Sequence, residues 1–283
     1  MDTEELLRRY AKGKRDFRGV ELRGAFLGGA DLSGANLRSC DLSNTNLIGA
    51  SLIRTNLREA DLTGTRLQAN LTEANLIGSN LADANLTGAS LCDASLRAAN
   101  MTGANLTGAN LSYAFLNEAI LRDANLSRAK LTEVALSRAN LTNALLTKAD
   151  LQGSNFTNAI LIRTNLTGAN LTGAILNGAN ATEADATGAD FSRAQMSGAN
   201  LTKIILRKAN LRGAKISWTT LRWADLTNAN LYRAKLCWSN LTGAILIEAV
   251  LIDANINETN FRDADLSGAV MPDAGTHGSL VSY

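Results

Sequence analysis

The stretch from residue 104 to residue 111 reads ANLTGANL and contains the unit from which this chain is built. Its leucines, Leu106 and Leu111, stand five positions apart, and an aliphatic or aromatic residue recurs at this spacing from Phe17 to Met271 with one slip. These central positions number 52, and 41 of them are leucine. Alanine stands two positions before the centre in 38 pentads, usually followed by asparagine or aspartate. A repeat that fills nearly the whole chain decides the architecture.

A period of five fits neither an α-helix nor a single β-strand. A helix would spread every fifth leucine around its surface, and a strand would place successive leucines on opposite faces. The chain must therefore turn within each pentad, with the small alanine pointing inward beside the leucine. Short extended pieces joined by tight corners meet both conditions, provided that each coil pairs with the next by backbone hydrogen bonds about 4.8 Å away.

The repeated word A-(N/D)-L-x-x resembles that of the pentapeptide repeat proteins, over about nine-tenths of the chain. This resemblance implies an all-β fold, a right-handed quadrilateral parallel β-helix (a β-solenoid) with four pentads in each coil. The 52 pentads would form about 13 coils, in a rod on the order of 60 Å long. We expect every central residue and every preceding alanine to be buried, with Asn and Asp forming corner hydrogen bonds and stacked ladders.

The ends of the repeat are expected to carry caps. Residues 1–16 are predicted to form an N-terminal cap with a helix over residues 3–12, in which Asp2 and Glu5 have capping-box spacing. The repeat follows at residues 17–271, as one continuous domain, and residues 272–283 form a C-terminal tail.

Two stretches extend the resemblance to particular members of the family. Residues 5–17 and 269–273 are similar to the beginning and end of cyanobacterial pentapeptide repeat proteins, including the heterocyst-differentiation regulator group. Family members that dimerise through a C-terminal helix have more chain after the repeat, so the resemblance favours a monomer over a dimer.

The slip in the repeat lies at residues 67–71, where four residues replace five. One interpretation is a tightened corner or β-bulge that the coil absorbs. The other is a loop for a partner, which would need an insertion. Because the slip is a deletion, the first interpretation is favoured.

The sequence has no pattern that indicates an active site. It lacks a phosphate-binding loop and metal-ligand spacing, so we expect no catalytic residue, no metal and no cofactor. The only histidine, His277, lies in the tail. The cysteines, Cys40, Cys92 and Cys237, are too far apart in the repeat to pair, and free thiols without an export signal indicate the cytoplasm. No segment is apolar enough to predict a membrane span.

One window departs from the small polar residues that otherwise face outward. Residues 203–238 contain all three tryptophans and eight basic residues against one acid, a charge of +7 in a chain whose total is +2. Residues twenty apart should lie above one another, which predicts Trp218 beside Trp238 and Lys215 beside Lys235. The predicted interaction surface comprises Arg207, Arg212, Lys215, Trp218, Arg222, Trp223, Tyr232, Arg233, Lys235 and Trp238. The alternative is that basic side chains keep the protein in solution while the tryptophans fill surface grooves.

A second, apolar patch lies nearer the C-terminus. Its members are Ile245, Ile247, Val250, Ile252 and Val270. Either the tail after Pro272 covers these residues or two copies meet there end to end; the first is favoured.

These features support a non-enzymatic, cytoplasmic interaction or regulatory protein that presents the basic and aromatic surface to an acidic protein partner, without a membrane role. One alternative is a DNA mimic that modulates type II topoisomerases, which the charge of +2 and the basic patch disfavour. Another is direct nucleic-acid binding through Trp and Arg. The flat side of a solenoid offers no helix for a groove, so nucleic acid is disfavoured too.

Overall fold

The computed structural model describes residues 1–272, and contacts gather the chain into two compact units, Met1–Leu145 and Leu146–Tyr283. In each unit the residue before a pentad centre forms an isolated parallel β-bridge to the equivalent residue one coil further along. Nearly all of these bridges join residues twenty apart, as in Asn85↔Asn105 of the first unit and Asn210↔Asn230 of the second. Four pentads therefore make one turn, and the fold is a right-handed β-helix.

Helix α1 (Thr3–Ala11) is the single helix of the described chain, and it ends one residue before the predicted boundary. Asp2 caps it, because its carboxylate accepts the backbone N–H of Glu5 at 2.8 Å. The Glu5 side chain pairs instead with Arg8 and Arg9. Only half of the predicted capping box is therefore formed.

The buried face of α1 covers the first coil. Leu6 is fully buried, and the Tyr10 hydroxyl donates to the carbonyl of Ser33 at 2.7 Å. The Arg15 guanidinium lies 3.8 Å from the centroid of the Tyr10 ring. The first-coil centres from Phe17 to Leu32 are buried. The helix thus shields a solenoid edge that would otherwise present unpaired backbone groups.

Most corners are held by a polar residue, usually Asn or Asp, that precedes the centre. Asn105 shows the arrangement, since its Oδ1 accepts both the backbone N–H of Thr107 at 3.1 Å and the Thr107 hydroxyl at 2.6 Å. Amides one coil apart also join, as in Asn100 Nδ2 donating to Asn80 Oδ1 at 3.0 Å. The predicted corner bonds and ladders are confirmed, which explains the dominance of Asn and Asp at this position.

The slip is absorbed in the coil. From Ser51↔Asn70 to Arg66↔Asn85 the bridges join residues nineteen apart, and the twenty-residue register then resumes. The missing residue is taken up by a tight turn in which the N–H of Ala69 donates to the carbonyl of Leu67 at 2.8 Å. The interpretation as a tightened corner is confirmed.

Burial of the repeat is continuous except at its ends. The pentad centres are buried from Phe17 through Leu251, but those of the last coil are only half-buried, as are two alanines in each of the first and last coils. The prediction that every centre and alanine is buried is therefore wrong at the ends, because a terminal coil has a neighbouring coil on one side only. The half-buried residues are Ala25, Ala30, Ile256, Phe261, Ala264, Leu266, Ala269 and Met271.

The apolar patch is present at the surface of the second unit. Ile245, Ile252 and Val270 are exposed, while Ile247 and Val250 are half-buried. The predicted covering segment, the tail after Pro272, falls on residues 273–283 and lies outside the described residues.

Candidate interaction surface

The register of the second unit sorts the predicted surface residues by side of the coil. We call residues 212–218, together with 232–238 one coil further along, the lysine side. Lys215 and Lys235 form a parallel bridge at its centre, and the turns at either end of each stretch form its two corners. Seven of the ten predicted residues lie on the lysine side: Arg212, Lys215, Trp218, Tyr232, Arg233, Lys235 and Trp238.

Trp218 and Trp238 occupy one corner of the lysine side, which we call the tryptophan corner. Their ring centroids are 5.3 Å apart and their planes differ by 7°, so the indoles are stacked. Despite this contact the two residues remain 66% and 53% exposed. The prediction that they are neighbours in adjacent coils, with Lys215 and Lys235 beside them, is confirmed.

The backbone at the tryptophan corner is unfavourable for large residues. Both Trp218 and Trp238 have φ of 61°, in the left-handed region, and Gly198 holds the same corner position one coil earlier with φ of 69°. A non-glycine residue in this conformation costs about 1–2 kcal/mol. The same conformation recurs at corners throughout the repeat, including those of Tyr113, Arg128 and Trp223, so the backbone cost is general and does not explain the tryptophans.

Two buried hydroxyls brace the backbone beneath this corner. At an ordinary corner the N–H after the turn donates to the central carbonyl, but the N–H of Thr219 donates to Ser239 Oγ at 3.2 Å. The Ser239 hydroxyl in turn donates to the carbonyl of Ile216, and the Thr219 hydroxyl donates to that of Met196 at 2.8 Å. Neither residue was predicted from the sequence, although Thr and Ser replace the usual alanine directly after each tryptophan.

We expect Ser239→Ala to lower the free energy of unfolding by about 1–3 kcal/mol, because a buried N–H and a buried carbonyl both lose their partner. Urea denaturation followed by circular dichroism measures the change. Ser217→Ala is the matched control: its hydroxyl is half-buried and makes a 3.5 Å contact with the carbonyl of Lys235. The control should change stability by less than about 0.5 kcal/mol. Equal effects of the two substitutions would show that Ser239 does not link these groups.

Charge on the lysine side is only partly neutralised. Arg233 pairs with Asp253 at 3.2 Å, and the guanidinium groups of Arg212 and Arg233 lie 5.3 and 4.9 Å from the ring centroid of Tyr232. Lys215 and Lys235 are both exposed and form no ion pair within residues 1–272. Like charges directly opposite one another are unfavourable on a β-ladder. This lysine pair is therefore an unsatisfied source of positive potential.

The remaining predicted residues lie on other corners. The Arg222 guanidinium is 4.3 Å from the ring centroid of Trp223, and Trp223 packs over Gly243, where an added Cβ would come within 2.6 Å of the ring. Trp223 thus lies over the next coil but remains 49% exposed.

Arg207 is neutralised by the single acid of the window. It pairs with Asp225 at 2.6 Å. Partial burial disfavours the charged form of Asp225, but hydrogen bonds from Thr227 and Arg207 together hold its pKa below the ordinary value. Lys203 also has a partner, Glu183 at 3.7 Å. Three of the eight basic residues of the window are thus neutralised, Arg207 by Asp225 within the window, and Lys203 and Arg233 by Glu183 and Asp253 outside it.

Within residues 1–272 no three His, Cys, Asp or Glu side chains are grouped closely enough to hold a metal ion. Cys40, Cys92 and Cys237 are free, and burial raises the pKa of the Cys40 thiol. No helix of the described chain has the length and hydropathy to cross a bilayer.

Comparisons with known proteins relate the chain to repeat proteins. The family model described as "Pentapeptide repeats" matches overlapping segments from residue 16 to residue 268. The structure of HetL, a pentapeptide repeat protein involved in heterocyst differentiation regulation in the cyanobacterium Nostoc sp. strain PCC 7120, is 33% identical, with 98% of this chain and 100% of HetL covered and a TM-score of 0.44.

Two further solved structures match with lower scores. Rfr23 from the cyanobacterium Cyanothece 51142 is 27% identical over 48% of this chain and 63% of its own, with a TM-score of 0.18. Full-length QnrB1, a plasmid-mediated fluoroquinolone resistance protein, is 18% identical over 91% of this chain and 94% of its own, with a TM-score of 0.24. A search of curated proteins gives no significant match.

Proposed function

The chain belongs to the pentapeptide repeat family, and on that premise we propose that it is a non-enzymatic interaction protein whose lysine side binds an acidic segment of a partner protein. The observation that carries this proposal is the exposed Trp218–Trp238 stack beside the unneutralised pair Lys215 and Lys235. Aromatic residues dominate the binding energy of protein interfaces. HetL is involved in regulation, so a regulatory role is part of the proposal.

Charge and apolar area contribute differently to this binding. An acidic segment between Lys215 and Lys235 would relieve the repulsion between the two ammonium groups. Its attraction to the lysines would steer association and would weaken as salt is added. The stacked indoles supply apolar area on a rigid backbone, at a small cost in conformational entropy. Arg212 and Tyr232 at the opposite corner continue the same surface. The proposal includes a cytoplasmic setting, where free thiols persist, and a monomeric protein.

The charge reversal Lys215→Glu/Lys235→Glu should abolish capture of the partner from native lysate. With the recovered partner purified, we expect affinity to fall by about tenfold or more and the dependence on salt to flatten, since two favourable charges become unfavourable. Calorimetric titration at two or more salt concentrations measures both effects.

The matched control for this experiment is Lys130→Glu/Lys208→Glu, which changes the net charge equally but lies outside the lysine side. It should capture the same proteins as the wild type. Indistinguishable captures by the two double variants would overturn the proposal that this side binds the partner.

A further inference from the structure

We call the corner position of each coil a level. The tryptophan corner contains one open level, that is, one whose side-chain space is empty. Along this corner Gly178, Gly198, Trp218, Trp238 and Glu258 follow one another at twenty-residue intervals. A Cβ added to Gly198 would have nothing within 4 Å, whereas one added to Gly178 would lie 2.4 Å from the Oδ1 of Asn158. The level of Gly178 is therefore occupied and the level of Gly198 is empty. The Trp218 ring stacks on Trp238 and leaves this space unfilled.

Two exposed basic residues lie near the open level, while an acid follows the other end of the stack. Gln195, at the middle of the same side of the coil, bridges to Lys215 directly above it. Arg193 is exposed at the other corner of that side and has no ion pair within residues 1–272. Glu258 occupies the corner position beyond Trp238. The free face of Trp218 therefore lies beside exposed basic residues, whereas the position beyond Trp238 carries an acid.

We propose that this open level receives a single aromatic side chain of the partner, which stacks on the free face of Trp218 while neighbouring carboxylates pair with Lys215 and Arg193. The inference rests on the proposed function and names the chemistry that the lysine side recognises. One strand spacing of about 4.8 Å lies within the 4.5–7 Å range of stacked aromatic rings. A third ring would thus continue the Trp218–Trp238 stack at the spacing set by the coils.

The geometry favours a protein segment over a nucleic-acid strand. Single strands bind through a series of stacking platforms that accept successive bases along a positively charged track. This corner offers one level, bounded by the side chain of Asn158 on one side and by the tryptophan pair on the other. A strand continuing past Trp238 would bring its phosphates to Glu258. One ring flanked by carboxylates meets all of these conditions.

The probes are fluorescein-labelled peptides of six glutamates around a central phenylalanine or a central alanine, and labelled oligothymidylate. With the wild type, anisotropy titrations should show the phenylalanine peptide binding about two- to tenfold more tightly than the alanine peptide, as expected for one added aromatic pair. Gly198→Asn should remove this advantage by placing an amide in the open level. Asn tolerates the backbone conformation, since Asn158 has φ of 57° at the same corner.

The matched control is Gly188→Asn. Gly188 has φ of 65° and an equally open Cβ position, but it lies on a corner away from the lysine side. This variant should keep the preference for phenylalanine. Thermal unfolding checks that both asparagine variants are folded.

Several outcomes would overturn the inference. These are equal binding of the two peptides to the wild type, equal behaviour of the two asparagine variants, absence of peptide binding at millimolar concentration, or tighter binding of oligothymidylate. If Lys215→Glu/Lys235→Glu loses partner and peptides while Gly198→Asn has no effect, only the ring site is refuted. If the lysine variant also retains the partner, the proposed function fails as well.

Discussion

Trp218→Gly should reduce affinity for the natural partner by about tenfold or more, as for a hot-spot residue at an interface. For the phenylalanine peptide, which would lose one aromatic pair, we expect a reduction of about two- to tenfold. The same substitution should leave the free energy of unfolding within about 1 kcal/mol of the wild type, because two effects oppose each other. Loss of the stacked pair costs about 0.5–1.5 kcal/mol. Glycine at a corner with φ of 61° recovers about 1–2 kcal/mol of backbone strain.

This combination separates binding from packing. A residue that only fills space would destabilise the solenoid when removed and leave binding unchanged. Trp223→Gly is the matched control, since Trp223 also has positive φ, 55°, but packs over Gly243 at another corner. We expect it to retain the peptide. Titration calorimetry and urea denaturation of both variants measure the two quantities. Strong destabilisation by Trp218→Gly without loss of affinity would identify the tryptophan pair as packing residues.

Leu6→Ala should lower the free energy of unfolding of the N-terminal region by about 2–5 kcal/mol, the range for truncation of a buried leucine. Leu6 is the single buried residue of α1, and its exposed fraction is 0%. Without it the helix loses its one fully buried side chain and is left with contacts such as those of Tyr10 with Ser33 and Arg15. An uncovered first coil then presents backbone groups that can pair with another molecule.

Two measurements report on this cap. Urea denaturation followed by circular dichroism gives the stability, and analytical ultracentrifugation detects self-association, which should be greater still after deletion of residues 1–15. Leu7→Ala is the control within the same helix, because Leu7 is only half-buried and should cost distinctly less. If Leu6→Ala and the deletion leave both stability and association unchanged, α1 does not serve as the cap.

The sequence was sufficient to predict the architecture because a single five-residue motif, repeated along the chain, determines it. A five-residue period forces a corner in every pentad, and Asn or Asp supplies the side chain that holds that corner, as Asn105 does for Thr107. Given four pentads per coil, counting alone placed Trp218 beside Trp238 and Lys215 beside Lys235. These relations depend on the backbone register, which the repeat specifies at every position.

The tertiary structure decided what the side chains do across the coils. Asp253 neutralises Arg233, Ser239 links Thr219 to Ile216, and Asn158 fills one glycine level while that of Gly198 stays open. Each of these contacts joins residues about twenty positions apart, and each depends on side-chain direction and length. The period specifies which residues are stacked, but it does not specify where their side chains end. For that reason the sequence located the stacked tryptophans and lysines, and only the structure distinguished the neutralised charges and filled corners around them from those that remain exposed.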